Sequence, residues 1–397
     1  MTADAALAAL LAGACPIEAQ EIVSLMAADG RVLATDLIAP FDVPGDDRSA
    51  MDGYAVRAAQ IVAGRPLPVS QRIAAGASAA ALLEGTVARI FTGAPLPAGA
   101  DAVVIQEEAS IVEQGVAFAQ APAAGDWVIR RGADISEGAV VLQAGTRLTP
   151  QALGLAASLG QASLSVRRRV RVALFSTGDE LRSPGEDLPP GAIYNSNRYV
   201  LAGLLRRLGC EVQDLGIVRD RLDATREALR HAAAADVVLT CGGVSVGEED
   251  HVKAAVEAEG SLDLWKIAVK PGKPLAFGRI RRDDGSQARF IGLPGNPVSA
   301  FVTFLVFVRP FLLRTMGAAQ TVPRSLDVPA GFAHRGDRRR EFLRVRLQDG
   351  RLVPHGDQRS AVLTSTVWGD GLADVAAGAT IDIGQPVRFL PFTDLLN

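Results

Sequence analysis

All four lysines of the chain, Lys253, Lys266, Lys270 and Lys273, fall between positions 253 and 273, while every other one of its 41 cationic side chains is arginine. An ammonium is a compact point charge with three donors, whereas guanidinium is a planar fork, so a chain this biased towards arginine keeps lysine where the fork cannot serve. The stretch reads Trp265-Lys266-Ile267-Ala268-Val269-Lys270-Pro271-Gly272-Lys273-Pro274. Two prolines and a glycine predict a tight turn that holds Lys270 and Lys273 close together, as a site for a multiply charged oxyanion requires. A solvated basic turn is the competing reading.

Three further loops carry chemistry. Ser176-Thr177-Gly178-Asp179-Glu180-Leu181 follows an apolar run, Asp220 follows the next, and Thr240-Cys241-Gly242-Gly243-Val244-Ser245-Val246-Gly247-Glu248-Glu249-Asp250 follows a third. Glycines let backbone N–H groups approach phosphate oxygens, and Ser245 adds a hydroxyl donor. Glu180, Asp220 and Asp250 suit Mg²⁺, a hard cation usually held by one or two carboxylates together with water and substrate phosphate. Loops of this kind converging on one sheet edge, beside the lysines, describe a cleft for a phosphorylated ligand with a metal. Two other motifs compete. Gly243-Val244-Ser245-Val246-Gly247 matches the G-x-S-x-G elbow of hydrolases, with His334 or His355 as a later base, but Gly242-Gly243 already ends the strand before Ser245. Gly272-Lys273 ends like a phosphate-binding P-loop, yet Pro274 stands where that loop needs Ser or Thr.

These loops need elements to position them. From Val170 to Gly317 short apolar runs alternate with helical periodicity, which predicts a three-layer α/β domain with a largely parallel sheet. Strands are expected at Val170–Phe175, Glu211–Val218, Asp236–Thr240 and Phe290–Leu293, the last closed by Pro294-Gly295-Asn296-Pro297. Helices are expected at Asn195–Leu208 and Arg221–Ala234. In such sheets ligands bind outside the carboxyl ends of the strands, where this chain keeps its glycines. Pro40 to about Gly145 reads as a small β-rich domain inserted into a helical one, with flanking helical patterns at Ile17–Ala28 and Pro150–Leu159. Short alternating strands after Pro323, including Phe342–Leu347 and Pro386–Leu390, predict a small C-terminal β domain. The expected partition is 1–44 with 140–169, 45–139, 170–320 and 321–397.

Composition narrows the function classes. The 397 residues are 48% hydrophobic but only 5% aromatic, with a net charge of -3. That excludes a generally basic nucleic-acid surface, so an anion site must be local. Cys15, Cys210 and Cys241 form no CxxC spacing and leave an odd count, which fits a reducing cytoplasm rather than a disulfide framework. The N-terminus has no basic segment before its apolar stretch and is read as a helix, not a signal peptide. Val298–Leu313 contains Arg309 and Pro310 and is read as a buried helix, not a membrane span.

Several motifs in order resemble one family, the molybdopterin molybdenumtransferases. They are Ser49-Ala50-Met51-Asp52-Gly53-Tyr54-Ala55, Phe91-Thr92-Gly93-Ala94-Pro95, the Ser176–Leu181 loop, Gly242–Asp250, Lys270–Pro274 and Leu293-Pro294-Gly295-Asn296-Pro297-Val298-Ser299. The middle domain alone also resembles molybdopterin adenylyltransferase, which lacks the flanking β domains. The resemblance implies a molybdopterin-binding α/β domain, a β-rich insertion, a helical linker domain and a C-terminal β-barrel domain, assembled as an elongated cytoplasmic homodimer. Its implied reaction inserts molybdate into adenylylated molybdopterin with Mg²⁺ and releases AMP, without nucleic acid or membrane. Molybdopterin adenylyltransferase and acceptor molybdoenzymes are the implied further partners. A non-catalytic scaffold on the same fold is the other reading.

Carried over by motif, Glu180, Asp220 and Asp250 are metal or substrate-positioning carboxylates. Lys266, Lys270 and Lys273 are catalytic, and Lys270, Lys273 and Ser299 form the molybdate site. Thr177, Gly178, Gly242, Gly243, Ser245, Pro274, Pro294, Gly295 and Asn296 bind substrate. Asp52, Thr92, Arg130 and Asp134 reach in from the partner subunit. The chain departs from the family pattern at Gly132-Ala133-Asp134-Ile135, which lacks one carboxylate, and at Trp368–Val375, beside which the role of Ser360 stays open.

Overall fold

From Arg171 onward, apolar runs alternate with amphipathic ones, and the computed structural model folds them into a six-stranded sheet covered by helices. It describes residues 1–243, 251–272 and 274–396, without the side chains of 264–266 and 274. The strand order is Glu211–Val218, Arg171–Thr177, Val237–Cys241, Gln287–Leu293, Pro274–Arg281, Gly260–Lys266. The first four are parallel and the last two antiparallel. The expectation of a largely parallel sheet therefore holds for its centre, and an antiparallel hairpin finishes one edge. Val172 to Thr177 are all buried, as a strand covered on both faces requires.

The helices are set by ordinary end signals. Asn195 caps Ser196–Leu208 by accepting from the Arg198 N–H at 3.2 Å, and Gly209 ends it at φ 92. Leu201, Leu204, Leu205 and Leu208 line its buried face. The apolar run Pro297–Thr315 is helical throughout, with a π-type turn at Phe304–Val308. It is long and apolar enough to cross a membrane, but 89% of it is buried inside the fold, which makes it a core helix. The N-terminal helix Ala3–Gly13 buries Ala6 and Leu10 in the same core as Phe304 and Phe311.

One expectation fails. Ile17–Ala28 is not a helix; Gln20–Ser24 is a strand paired antiparallel with Ser163–Arg167, followed by a single 3-10 turn. Its apolar spacing fits either period, and a paired neighbour strand decides for β. Pro150–Ser158 is the helix expected there.

The C-terminal sheet runs Val269–Lys270, Arg340–Gln348, Gly371–Val375, Pro386–Pro391, Leu326–Pro329. Its first strand is borrowed from the lysine stretch, since Val269 and Lys270 pair in parallel with Arg340 and Glu341. Lys270 therefore ends a strand directly before Pro271-Gly272, and the other lysine of the expected turn, Lys273, lies outside the described residues.

By compactness the chain falls into two units, Met1–Thr35 with Ala144–Leu153 and Ala162–Asn397, and Asp36–Gln143 with Gly154–Gln161. The second is β-rich. Val69–Ile73, Val87–Ile90, Gly53–Val56 and Ala102–Ile105 form a four-stranded sheet over Tyr54, Val56, Val87, Val104 and Phe118.

Candidate active site

At the carboxyl ends of Arg171–Thr177, Val237–Cys241 and Gln287–Leu293 lies a cleft of about 1300 Å³. It is lined by Thr177, Gly178, Glu180, Asp220, Gly242, Gly243, Lys270, Pro294, Gly295, Asn296 and Ser299 among the residues singled out from sequence. Ser245, Asp250 and Lys273 lie outside the described residues, and Lys266 and Pro274 are described in backbone only.

The glycine positions are required by space. Gly242 has φ 95, and a Cβ there would stand 2.4 Å from the Thr177 carbonyl oxygen. Gly243 has φ 62, and its Cβ would meet Val252 Cγ2 at 2.4 Å and Thr177 Oγ1 at 2.7 Å. Only glycine lets the two loops approach this closely. Ser176 and Thr177 keep hydroxyls that are buried at the cleft without a partner among the described residues, and the Asn195 Nδ2 does the same. Buried donors left unpaired at a cleft are suited to a ligand rich in acceptor oxygens.

Asn197 was not singled out from sequence, yet it ties the cleft together. Its Nδ2 donates to the Gly295 carbonyl at 2.6 Å and to Cys241 Sγ at 3.1 Å, while Cys241 donates to the Pro294 carbonyl at 3.3 Å. Burial pushes the Cys241 thiol up to about 12, so it remains a neutral packing group. Arg339, Gln358 and Arg359 were also missed, and together with Ser360, whose role the sequence left open, they bring one wall from the C-terminal domain. Arg339 belongs to the basic run Arg338–Arg340, and that run was the available signal. Arg339 pairs with Asp337 at 3.2 Å, and this bond foremost holds the half-buried Asp337 carboxyl down to about 2. Its neighbour Arg340 instead pairs with Asp374 and Asp4.

Lys270 lines the cleft but is engaged. Its Nζ lies 2.9 Å from Glu341 Oε1 and 3.6 Å from Asp337 Oδ2. Among the described residues no three His, Cys, Asp or Glu side chains cluster as a metal cage. Glu180 and Asp220 both line the cleft, and carboxylates are the ligand type Mg²⁺ takes from a protein when phosphate and water supply the rest.

In the second unit the structure brings Asp52 and Thr92 together. Asp52 Oδ1 accepts from the Thr92 N–H and hydroxyl, both at 2.8 Å, and the backbone bond foremost lowers the Asp52 carboxyl below its ordinary value. Arg130 is elsewhere engaged, with Asp47 at 2.7 Å. Asp134 is exposed in a turn, its N–H donating to the Val43 carbonyl.

Glycine turns at the ends of parallel strands, covered by helices and joined to a β domain, define the class by its fold: a molybdopterin-binding type of α/β domain. Residues 1–160 match the MoeA N-terminal region (domain I and II), 173–314 the probable molybdopterin binding domain, and 327–392 the MoeA C-terminal region (domain IV). Molybdopterin molybdenumtransferase of Haemophilus influenzae is 44% identical over 303 residues, covering 76% of this chain and 74% of that one. Molybdopterin molybdenumtransferase 2 of Mycobacterium tuberculosis is 38% identical over 391 residues, covering 91% and 94%. A crystal structure of a molybdopterin biosynthesis moeA protein from Pyrococcus horikoshii superposes with a TM-score of 0.80 at 31% identity, covering 99% of both chains. The chain belongs to the molybdopterin molybdenumtransferase family, a family of transferases. Because the match runs through the flanking domains, the adenylyltransferase reading of the middle domain alone is not favoured.

Proposed function

We propose that this protein inserts molybdate into adenylylated molybdopterin and releases AMP. The observation that carries this reading is the cleft itself, which Thr177, Gly178, Gly242, Gly243, Lys270 and Ser299 line together. The glycine loops and hydroxyls would hold the pyrophosphate, and Lys270 with Ser299 would hold the oxyanion. Glu180 and Asp220 would hold Mg²⁺, which supplies charge neutralisation at the phosphates. The protein's own part is to fix the oxyanion against the phosphoryl group and to keep water from its place, which requires no covalent protein intermediate. AMP release is expected to need a divalent cation and to be stimulated by molybdate. A Ser245→Ala protein that lost all turnover, together with a trapped acyl-enzyme, would favour the hydrolase elbow instead.

The same reading includes a homodimer whose cleft is completed by Asp52 and Thr92 of a second copy, and the four-part partition 1–44 with 140–169, 45–139, 170–320 and 321–397. Mixing inactive Asp52→Ala with inactive Glu180→Ala protein should then restore part of the activity through heterodimers. Subunit exchange without recovery would remove the shared site. Three free thiols accord with a cytoplasmic setting, between an adenylyltransferase that supplies the substrate and an acceptor molybdoenzyme.

A further inference from the structure

We propose that Glu341, on the C-terminal sheet, is a positioning residue for Lys270, so that this sheet sets how the cleft receives the oxyanion. The inference rests on the molybdate-insertion reading and extends it to a group outside the cleft lining.

Glu341 is 1% exposed. A buried carboxylate is costly unless every lone pair finds a donor, and this one is divided between two tasks. Oε2 accepts from His334 Nε2 at 2.8 Å and from the Asp337 N–H at 2.8 Å, both within the C-terminal domain. That leaves Oε1 for Lys270 Nζ at 2.9 Å. The two residues are neighbours by register, because Lys270 pairs directly with Glu341 in parallel strands. The carboxylate is therefore oriented from behind and offers a single oxygen forward.

This division gives a physical reason for lysine. A guanidinium prefers a carboxylate in bidentate fashion and would need both oxygens, one of which is already taken. An ammonium uses one donor on Oε1 and keeps two for a ligand. The Lys270 side chain remains 46% exposed, and its second acid, Asp337, stands at 3.6 Å, nearer to Arg339. Although burial works to raise the Glu341 carboxyl, the bonds from His334, Lys270 and Asp337 together bring it below its ordinary value, so it remains an anion beside the lysine.

The test is calorimetric titration of molybdate alone, alongside AMP release, into wild-type protein, Glu341→Gln, Lys270→Met and the double variant. Glutamine keeps the shape and can still accept from His334 and Asp337. Glu341→Gln is expected to weaken molybdate binding about tenfold, the scale of a lost charged hydrogen bond, with the half-saturating concentration of the adenylylated pterin within about twofold. In the Lys270→Met background the same change should add nothing. Additive losses, or equal losses for both substrates, would overturn the proposal and leave Glu341 a packing residue. If Glu341→Gln does not fold, His334→Ala, which removes one of the two donors to Oε2, should weaken molybdate binding by a smaller factor; no change there would also overturn it. Wild-type protein that binds molybdate but releases no AMP would contradict the reaction and not the role of Glu341.

Discussion

Replacing Lys270 by methionine is expected to leave a folded protein that has lost on the order of 100-fold or more of its molybdate-stimulated AMP release, the scale for removing one pre-placed donor from a charge-stabilising site. Methionine preserves the length of the side chain, and the backbone pairing of Val269 and Lys270 with Arg340 and Glu341 does not depend on the ammonium. Glu341 keeps His334 and the Asp337 N–H as partners. The stability loss should be about 1–3 kcal/mol, because Lys270 is half open to solvent but its removal leaves the buried Glu341 Oε1 without that donor. Steady-state AMP release beside thermal unfolding separates the two effects. If Lys270 only ties the strand to the C-terminal sheet, activity should fall in step with stability, and Lys270→Arg should restore both. Failure of arginine to restore activity in a fully folded protein is the result expected of an oxyanion site.

Gly242→Ala should damage fold and function together. At φ 95 an alanine is strained by about 1–3 kcal/mol, and its Cβ would stand 2.4 Å from the Thr177 carbonyl oxygen, a backbone atom that cannot rotate away. The Gly242 N–H also donates to the Leu293 carbonyl at 3.1 Å, which fixes the residue between two strands. Relief must come from moving Thr177, at a further cost of about 1–3 kcal/mol. A total loss of about 2–6 kcal/mol in urea unfolding is expected, with the cleft misshapen in whatever protein remains folded. Gly203→Ala is the control. Gly203 lies within the helix Ser196–Leu208 with nothing near its Cβ position, so alanine there should stabilise by up to about 1 kcal/mol. A Gly242→Ala protein as stable as this control would show that the two loops do not approach as described.

The centre of the fold was legible because parallel strands buried on both faces read as continuous apolar runs, and because glycine marks their ends. Glu211–Val218 was placed to the residue, and Ser196–Leu208 follows its Asn195 cap and leucine face. Gln20–Ser24 was misread because its partner, Ser163–Arg167, lies far along the chain, and local spacing cannot report a distant neighbour. The same limit hid the cleft wall. Lys270 was visible as a residue type, but nothing local says that its strand joins a sheet whose next member begins at Arg340. Asn197 and Glu341 act through carbonyls and charges brought from elsewhere in the chain, so their importance exists only in the folded molecule. Asp52 and Thr92 were found through their motifs, and their mutual hydrogen bonds are a fact of the fold.

In the proposed reaction molybdate is the group that enters the pterin as AMP leaves. Purified protein incubated with adenylylated molybdopterin, Mg²⁺ and molybdate should release AMP and yield pterin-bound molybdenum in equal amounts, measured on the same sample by chromatography and elemental analysis. AMP released at the same rate without molybdate, with no molybdenum recovered on the pterin, would contradict it.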